Sequence, residues 1–241
     1  MNELLTVRKL EARYGDFQAL FGIDMDVGQG DAVALIGSNG AGKSTLMKSL
    51  CGLISVAPDS IVLDGRPIGG LPSHEIVRRG IAMVPEGRKL FRSLSVEENL
   101  RIGAFAERKG PWTLERVFKL FPVLKEKREV ASTSLSGGQQ QMVAIGRALM
   151  SNPKLLLCDE ISLGLSPAVI SDIYAALPEI RSEGLSVVVV EQDIDTAVRS
   201  AEHVYCLMHG QVSLHGTSSE VTKQQISDAY FGLVEKEELT G

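Results

Sequence analysis

Five short runs of almost unbroken apolar residues stand out along the chain, at 32–36, 61–63, 81–84, 155–158 and 187–190. Runs of this length, rich in Val, Ile and Leu, read as strands. The lack of polar alternation in several of them implies burial on both faces. Helical patterns follow most of them. Pro72-Ser73-His74-Glu75 has the chemistry of a helix start, and Ser95 with Glu98 three residues later fits a capping box. Strands alternating with helices predict an α/β protein whose sheet is mainly parallel and covered by helices on both faces. Two regions depart from this pattern. Residues 5–27 alternate like half-buried strands, interrupted at Tyr14-Gly15-Asp16, and predict an antiparallel β edge. Residues 90–150 hold helical patterns without a clear strand, which places an inserted α-helical subdomain there.

A length of 241 residues suits one compact domain. The expected division is a core formed by 1–89 and 151–220, the helical insert at 90–150, and a C-terminal tail at 221–241. The charge run Glu235-Lys236-Glu237-Glu238 carries no structural signal and reads as a frayed acidic tail. Net charge is -5 and the pI is near 5.5, a balance that argues against a broad nucleic-acid surface. Cys51, Cys158 and Cys206 are scattered in apolar settings and read as buried thiols of a reducing compartment. His74, His203, His209 and His215 show no metal-ligand spacing with them. The first eight residues lack the apolar stretch of a secretory leader, and no run approaches a spanning length. If the chain works at a membrane, other chains are expected to hold it there.

Two segments carry recognisable chemistry. Gly37-Ser38-Asn39-Gly40-Ala41-Gly42-Lys43-Ser44-Thr45 matches G-x-x-x-x-G-K-[ST] in full, after the strand at 32–36 and ahead of a helix at 46–50. The glycines permit a tight loop whose N–H groups face phosphate oxygens, and the helix N-terminus adds positive potential. Lys43 is placed to reach the β and γ phosphates of ATP, and Ser44 to coordinate Mg2+. The run at 155–158 ends in Asp159-Glu160. Carboxylates at the end of a buried strand need partners. Beside a phosphate loop, Asp159 is a candidate Mg2+ holder, and Glu160 a candidate for orienting or deprotonating the attacking water.

Leu135-Ser136-Gly137-Gly138-Gln139 precedes a helix predicted over 140–150, again setting a hydroxyl and glycines at a helix N-terminus. One nucleotide does not need two such loops from one chain, so this one is expected to serve a nucleotide bound elsewhere, as in a dimer. With these three segments the sequence resembles the ABC ATPase family over almost its whole length. The resemblance implies an α/β fold with a P-loop NTPase (RecA-like) core. It also implies a head-to-tail pair of cassettes, each ATP lying between one phosphate loop and the partner's LSGGQ loop. It assigns the nucleotide contacts of that second loop to Ser136, Gly137, Gly138 and Gln139, and adenine stacking to Tyr14.

Two departures narrow the resemblance. Most family members have Gln where Glu86 stands in Val84-Pro85-Glu86-Gly87-Arg88, and His where Gln192 follows Glu191. Together with Ser162-Leu163-Gly164-Leu165-Ser166-Pro167 and the ending Ala229-Tyr230-Phe231-Gly232, they are similar to the smaller ATPase of branched-chain amino-acid importers, the LivF type. By that resemblance Glu86 accepts from Mg2+-bound water, Gln192 contacts the γ-phosphate, and the loop 86–91 faces a membrane partner. The resemblance further implies a peripheral subunit on the cytoplasmic face of the inner membrane. Its partners would be a second, related ATPase, two transmembrane permease chains and an extracytoplasmic solute-binding protein. The residues alone require only some pairing, homodimer or heterodimer. Urea, amides and aromatic acids stay open as alternative solutes. A non-transport ABC ATPase is the rival class, disfavoured by a single cassette, the absence of sustained heptads and the negative charge.

Overall fold

The structure, a computed structural model, describes residues 3–233; the charge run at 235–238 lies outside the described residues. The chain opens with two long strands, β1 (Glu3–Tyr14) and β2 (Phe17–Gly28), followed by β3 (Ala32–Ile36) and α1 (Lys43–Leu50). Next come β4 (Ile61–Leu63), β5 (Arg66–Pro67), α2 (Ser73–Arg79) and β6 (Ile81–Val84). Four helices then run without an intervening strand: α3 (Val96–Gly103), α4 (Leu114–Leu120), α5 (Pro122–Glu126) and α6 (Gly137–Leu149). The remainder is β7 (Leu155–Asp159), α7 (Pro167–Ser182), β8 (Ser186–Glu191), α8 (Ile194–Ser200), β9 (His203–Met208), β10 (Gln211–Thr217) and α9 (Lys223–Phe231).

These strands form two sheets. The larger has the order β10-β9-β3-β8-β7-β6, with β9, β3, β8, β7 and β6 parallel and β10 antiparallel at the edge. Every residue of β3, β7 and β8 is buried. Their side chains feed two separate cores. Leu155, Leu157, Val188 and Val190 join α1 and the smaller sheet on one side. Leu156, Cys158, Val187 and Val189 join the helical region on the other. A strand with apolar neighbours above and below shows no polar alternation, which is why these runs read as continuous.

The smaller sheet has the order β2-β1-β4-β5 and is antiparallel throughout. It corrects one expectation: the run at 61–63 is a strand, but it pairs with β1 in this sheet and not in the parallel one. Three apolar residues look the same in either place, and only the pairing partner distinguishes them. β9 and β10 were not foreseen. Part of the stretch assigned to a tail, 221–241, is the helix α9, whose Ile226 and Ala229 pack on β9 through Val204 and Cys206. The capping box at Ser95 and Glu98 is present, with both reciprocal hydrogen bonds. The helix expected over 140–150 starts earlier, at Gly137, with Ser136 as its N-cap. Cys158 and Cys206 are buried, while Cys51 is only partly so and has its thiol pushed up to about 12 by desolvation.

A nucleotide cleft at the carboxyl ends of the strands

Strands β3, β7 and β8 end side by side, and the loops leaving them build one cleft. The loop 37–42 turns β3 into α1. Gly42 holds φ +109 at the N-cap of that helix, and a Cβ there would lie 2.8 Å from Leu20 Cδ2. Both the left-handed backbone and the space demand glycine. No side chain caps α1, so its first N–H groups are left for an anion. Lys43 is 5% exposed. Its Nζ donates to Gly37 O at 2.6 Å and Ser38 O at 3.1 Å, and lies 3.9 Å from Glu160 Oε1. Desolvation lowers the lysine pKa, against the pull of Glu160 and Asp159. The ammonium is therefore poised among acceptors in a place where phosphate oxygens would serve it better than its own loop does.

The end of β7 brings the acids in. Asp159 is 4% exposed, and its Oδ1 is buried with no hydrogen-bond partner. Desolvation, then the charges of Glu160 and Glu86, push its pKa up to about 6; Lys43 and Lys48 pull the other way. A buried, unpartnered carboxylate oxygen beside other acids is what a divalent cation relieves. Mg2+ thus fits the residues present. Among the described residues no three His, Cys, Asp or Glu side chains cluster as a metal cage, and Mg2+ is characteristically held by one or two carboxylates together with substrate phosphates. Glu160 follows with φ +48, in the left-handed region. Its N–H donates to Val190 O at 3.1 Å, and its Oε2 accepts from Gln192 Nε2 at 2.8 Å.

The resulting cleft has a volume of about 880 Å³. It gathers most of the residues expected from sequence: Tyr14, Asn39, Gly40, Ala41, Gly42, Lys43, Ser44, Thr45, Glu86, Glu160 and Gln192. Tyr14 reaches into it with its hydroxyl 3.5 Å from Thr45 Oγ1. Gly37, Ser38 and Asp159 are not among the lining residues; the carbonyls of Gly37 and Ser38 accept from Lys43. Phe17, Phe21, Leu163 and His209 also line it and were missed. Phe17 had a signal: the turn after Tyr14 sets it directly opposite that tyrosine in the β1–β2 ladder. His209 had none, because the β9–β10 hairpin that carries it was not legible.

Ser136, Gly137, Gly138 and Gln139 stand apart from this cleft. The Ser136 Oγ accepts from Gln139 N–H at 3.3 Å, and the Gln139 Oε1 accepts from Ser136 N–H at 3.1 Å. A Cβ on Gly138 would lie 2.4 Å from Val169 Cγ1, so α6 approaches α7 only because that residue is glycine.

The fold and the cleft define a P-loop nucleotide-binding protein. A family model described as ABC transporter matches residues 20–162, and the chain belongs to that family as an ATP-binding cassette. It is 46% identical to BraG of Pseudomonas aeruginosa, a high-affinity branched-chain amino acid transport ATP-binding protein, over 95% of this chain and all of that protein. It is 33% identical to the probable branched-chain amino acid transport ATP-binding protein LivF of Archaeoglobus fulgidus, over 92% of this chain and 95% of that one. Among solved structures, it matches the ADP conformation of an ATP-binding cassette of an ABC transporter with TM-score 0.80 and 27% identity, covering 95% and 94% of the two chains. A dimeric bacterial ABC transporter cassette matches with TM-score 0.78 and 26% identity, covering 89% and 99%.

Proposed function

We propose that this chain is the ATP-hydrolysing subunit of an ABC importer for branched-chain amino acids. The observation that carries the catalytic part is the convergence at the end of β7: buried Lys43, the orphaned Asp159 oxygen, and Glu160 held by Gln192. The likeness to BraG over its whole length carries the solute.

In this reading the amides at the start of α1 and the Lys43 ammonium bind the β and γ phosphates, and Tyr14 offers its ring to the base. Ser44 and Asp159 hold Mg2+, with Glu86 at the rim, and the ion supplies neutralisation of phosphate charge. Glu160 orients the water that attacks the γ-phosphorus in line and takes up its proton, while the bond from the γ-phosphorus to the β–γ bridging oxygen breaks and ADP leaves. Lys43 stabilises the charge developing on the phosphoryl oxygens. The loop from Ser136 to Gln139 serves the nucleotide of a second cassette, because it lies outside its own cleft; the dimeric cassette among the structural matches supports such pairing. The described residues include no helix long and apolar enough to cross a membrane. An apolar groove lined by Cys51, Leu53, Ile76, Val77, Met83 and Pro85 adjoins Glu86. It offers a permease chain a seat at the cytoplasmic membrane surface, beside the loop that begins at Glu86.

The test is Glu160→Gln in the complex purified from solubilised membranes of the native host. The variant should bind ATP, hydrolyse it at a small fraction of the wild-type rate and accumulate as a closed pair of cassettes. Steady-state turnover equal to wild type would sink the assignment. Recovery of the chain with ribosomes or nucleic acid, and without polytopic partners, would sink the importer.

A further inference from the structure

Glu191 is 2% exposed, a carboxylate at the end of a fully buried strand, and it has no place in the cleft. Both of its oxygens are occupied by hydroxyls. Ser162 Oγ donates to Oε2 at 2.6 Å, and the Tyr174 hydroxyl donates to Oε1. Ser162 lies two residues beyond Glu160, and Tyr174 is on α7. The next residue, Gln192, lines the cleft and donates to Glu160 itself. Three consecutive residues therefore grip the turn that follows β7. Val190 holds the Glu160 N–H with its carbonyl, Glu191 holds Ser162 from the buried side, and Gln192 holds the Glu160 side chain from the cleft side.

The turn needs such a grip. Glu160 sits in the left-handed region, a conformation that a non-glycine residue keeps only where its surroundings over-determine it. A carboxylate suits the task because it only accepts. Both hydroxyls must donate to it, which fixes their directions, and bonds to a charged acceptor are the stronger kind. A carboxamide in its place offers one acceptor and one donor, so one hydroxyl would have to turn round.

We propose that Glu191 is a positioning residue for hydrolysis: through Ser162 and Tyr174 it fixes the 160–162 turn so that the Glu160 carboxylate meets the attacking water. The proposal rests on the reading of Glu160 given above. The test compares Glu191→Gln, Ser162→Ala, their double variant, Ser162→Thr and Glu160→Gln in the purified complex. It measures kcat, KM for ATP, affinity for a fluorescent ATP analogue, and thermal unfolding. Glu191→Gln and Ser162→Ala should each lower kcat about tenfold, with KM and nucleotide affinity within about twofold of wild type. The double variant should be no slower than the worse single one, since each single change already disrupts the Glu191–Ser162 bond. Ser162→Thr, which keeps the hydroxyl, should stay near wild type. Wild-type kcat in Ser162→Ala would overturn the proposal, and so would effects that multiply in the double variant, or losses confined to KM or folding. Because Ser162→Ala removes only an oxygen from a partly exposed side chain, it decides the matter even if Glu191→Gln fails to fold. If Glu160→Gln is inactive while Ser162→Ala is normal, only this proposal falls. If Glu160→Gln turns over like wild type, the reading beneath it falls as well.

Discussion

Replacing Asp159 by Asn should stabilise the nucleotide-free protein while removing its response to MgATP. Asp159 is buried, its Oδ1 is unpartnered, and Glu160 and Glu86 add like charge, so its carboxyl is raised from 3.8 to about 6. The folded state therefore disfavours the ionised form. Below the unfolded value the group is neutral in both states and costs nothing. The cost grows as pH rises through the interval from about 4 to about 6, and stays level above it. Roughly two units at about 1.4 kcal/mol each put it near 3 kcal/mol at neutral pH. Asparagine keeps the shape without the charge, and its amide donors have two carboxylates nearby. For a chain of this size, about 3 kcal/mol corresponds to a rise in Tm of about 6–12 °C. The assay is calorimetric unfolding in EDTA without nucleotide at several pH values between 4 and 8. The variant should gain over wild type at pH 7 and lose most of that gain at pH 4. Adding MgATP should raise the wild-type Tm and leave the variant's nearly unmoved. A variant less stable than wild type at pH 7, or a gain independent of pH, would refute the reasoning.

Other substitutions test other parts of the site. Gly138→Ala sets a methyl 2.4 Å from Val169 Cγ1 and should cost about 1–3 kcal/mol in urea unfolding, with Val169→Ala restoring most of the loss. Tyr14→Ala should weaken ATP binding by about tenfold through loss of the aromatic face, while Tyr14→Phe holds near wild type in the same titration. Glu86→Gln removes one of the charges that raise Asp159, so nucleotide binding measured by calorimetry should depend less steeply on Mg2+ than in wild type.

How much of this was legible in the sequence depended on where the determining contacts lie. Strands β7 and β8 announced themselves because each feeds a core on both faces, leaving no polar residue to blur the run. The phosphate loop was legible because its requirements are local: a tight turn, a close approach at Gly42 and a free helix start all sit within nine consecutive residues. β10 was hidden for the opposite reason. Its residues are half-buried or exposed, and only pairing with β9 makes them a strand. The start of α6 was displaced because Gly137 and Gly138 are poor helix formers, and their place in the helix is secured by the capping box and by packing on Val169.

The contacts around Glu160 carry this distinction into function. Asp159 and Glu160 could be read as a functional pair because the chemistry of two acids ending a buried strand is unusual in itself. What makes Glu160 usable could not be read, since it arrives from Glu191, 29 residues beyond the Ser162 that it holds, and from Gln192, 32 residues beyond Glu160. A glutamate at φ +48 is not a conformation that its own sequence favours. β8 and the residue that follows it impose it, using the Val190 carbonyl and the adjacent side chains of Glu191 and Gln192, which reach the same turn from opposite sides. Any movement of β8 relative to β7 must then be felt at the catalytic carboxylate. The two strands share a ladder from Leu155↔Ser186 to Asp159↔Val190, which leaves little room for such movement while the sheet is intact.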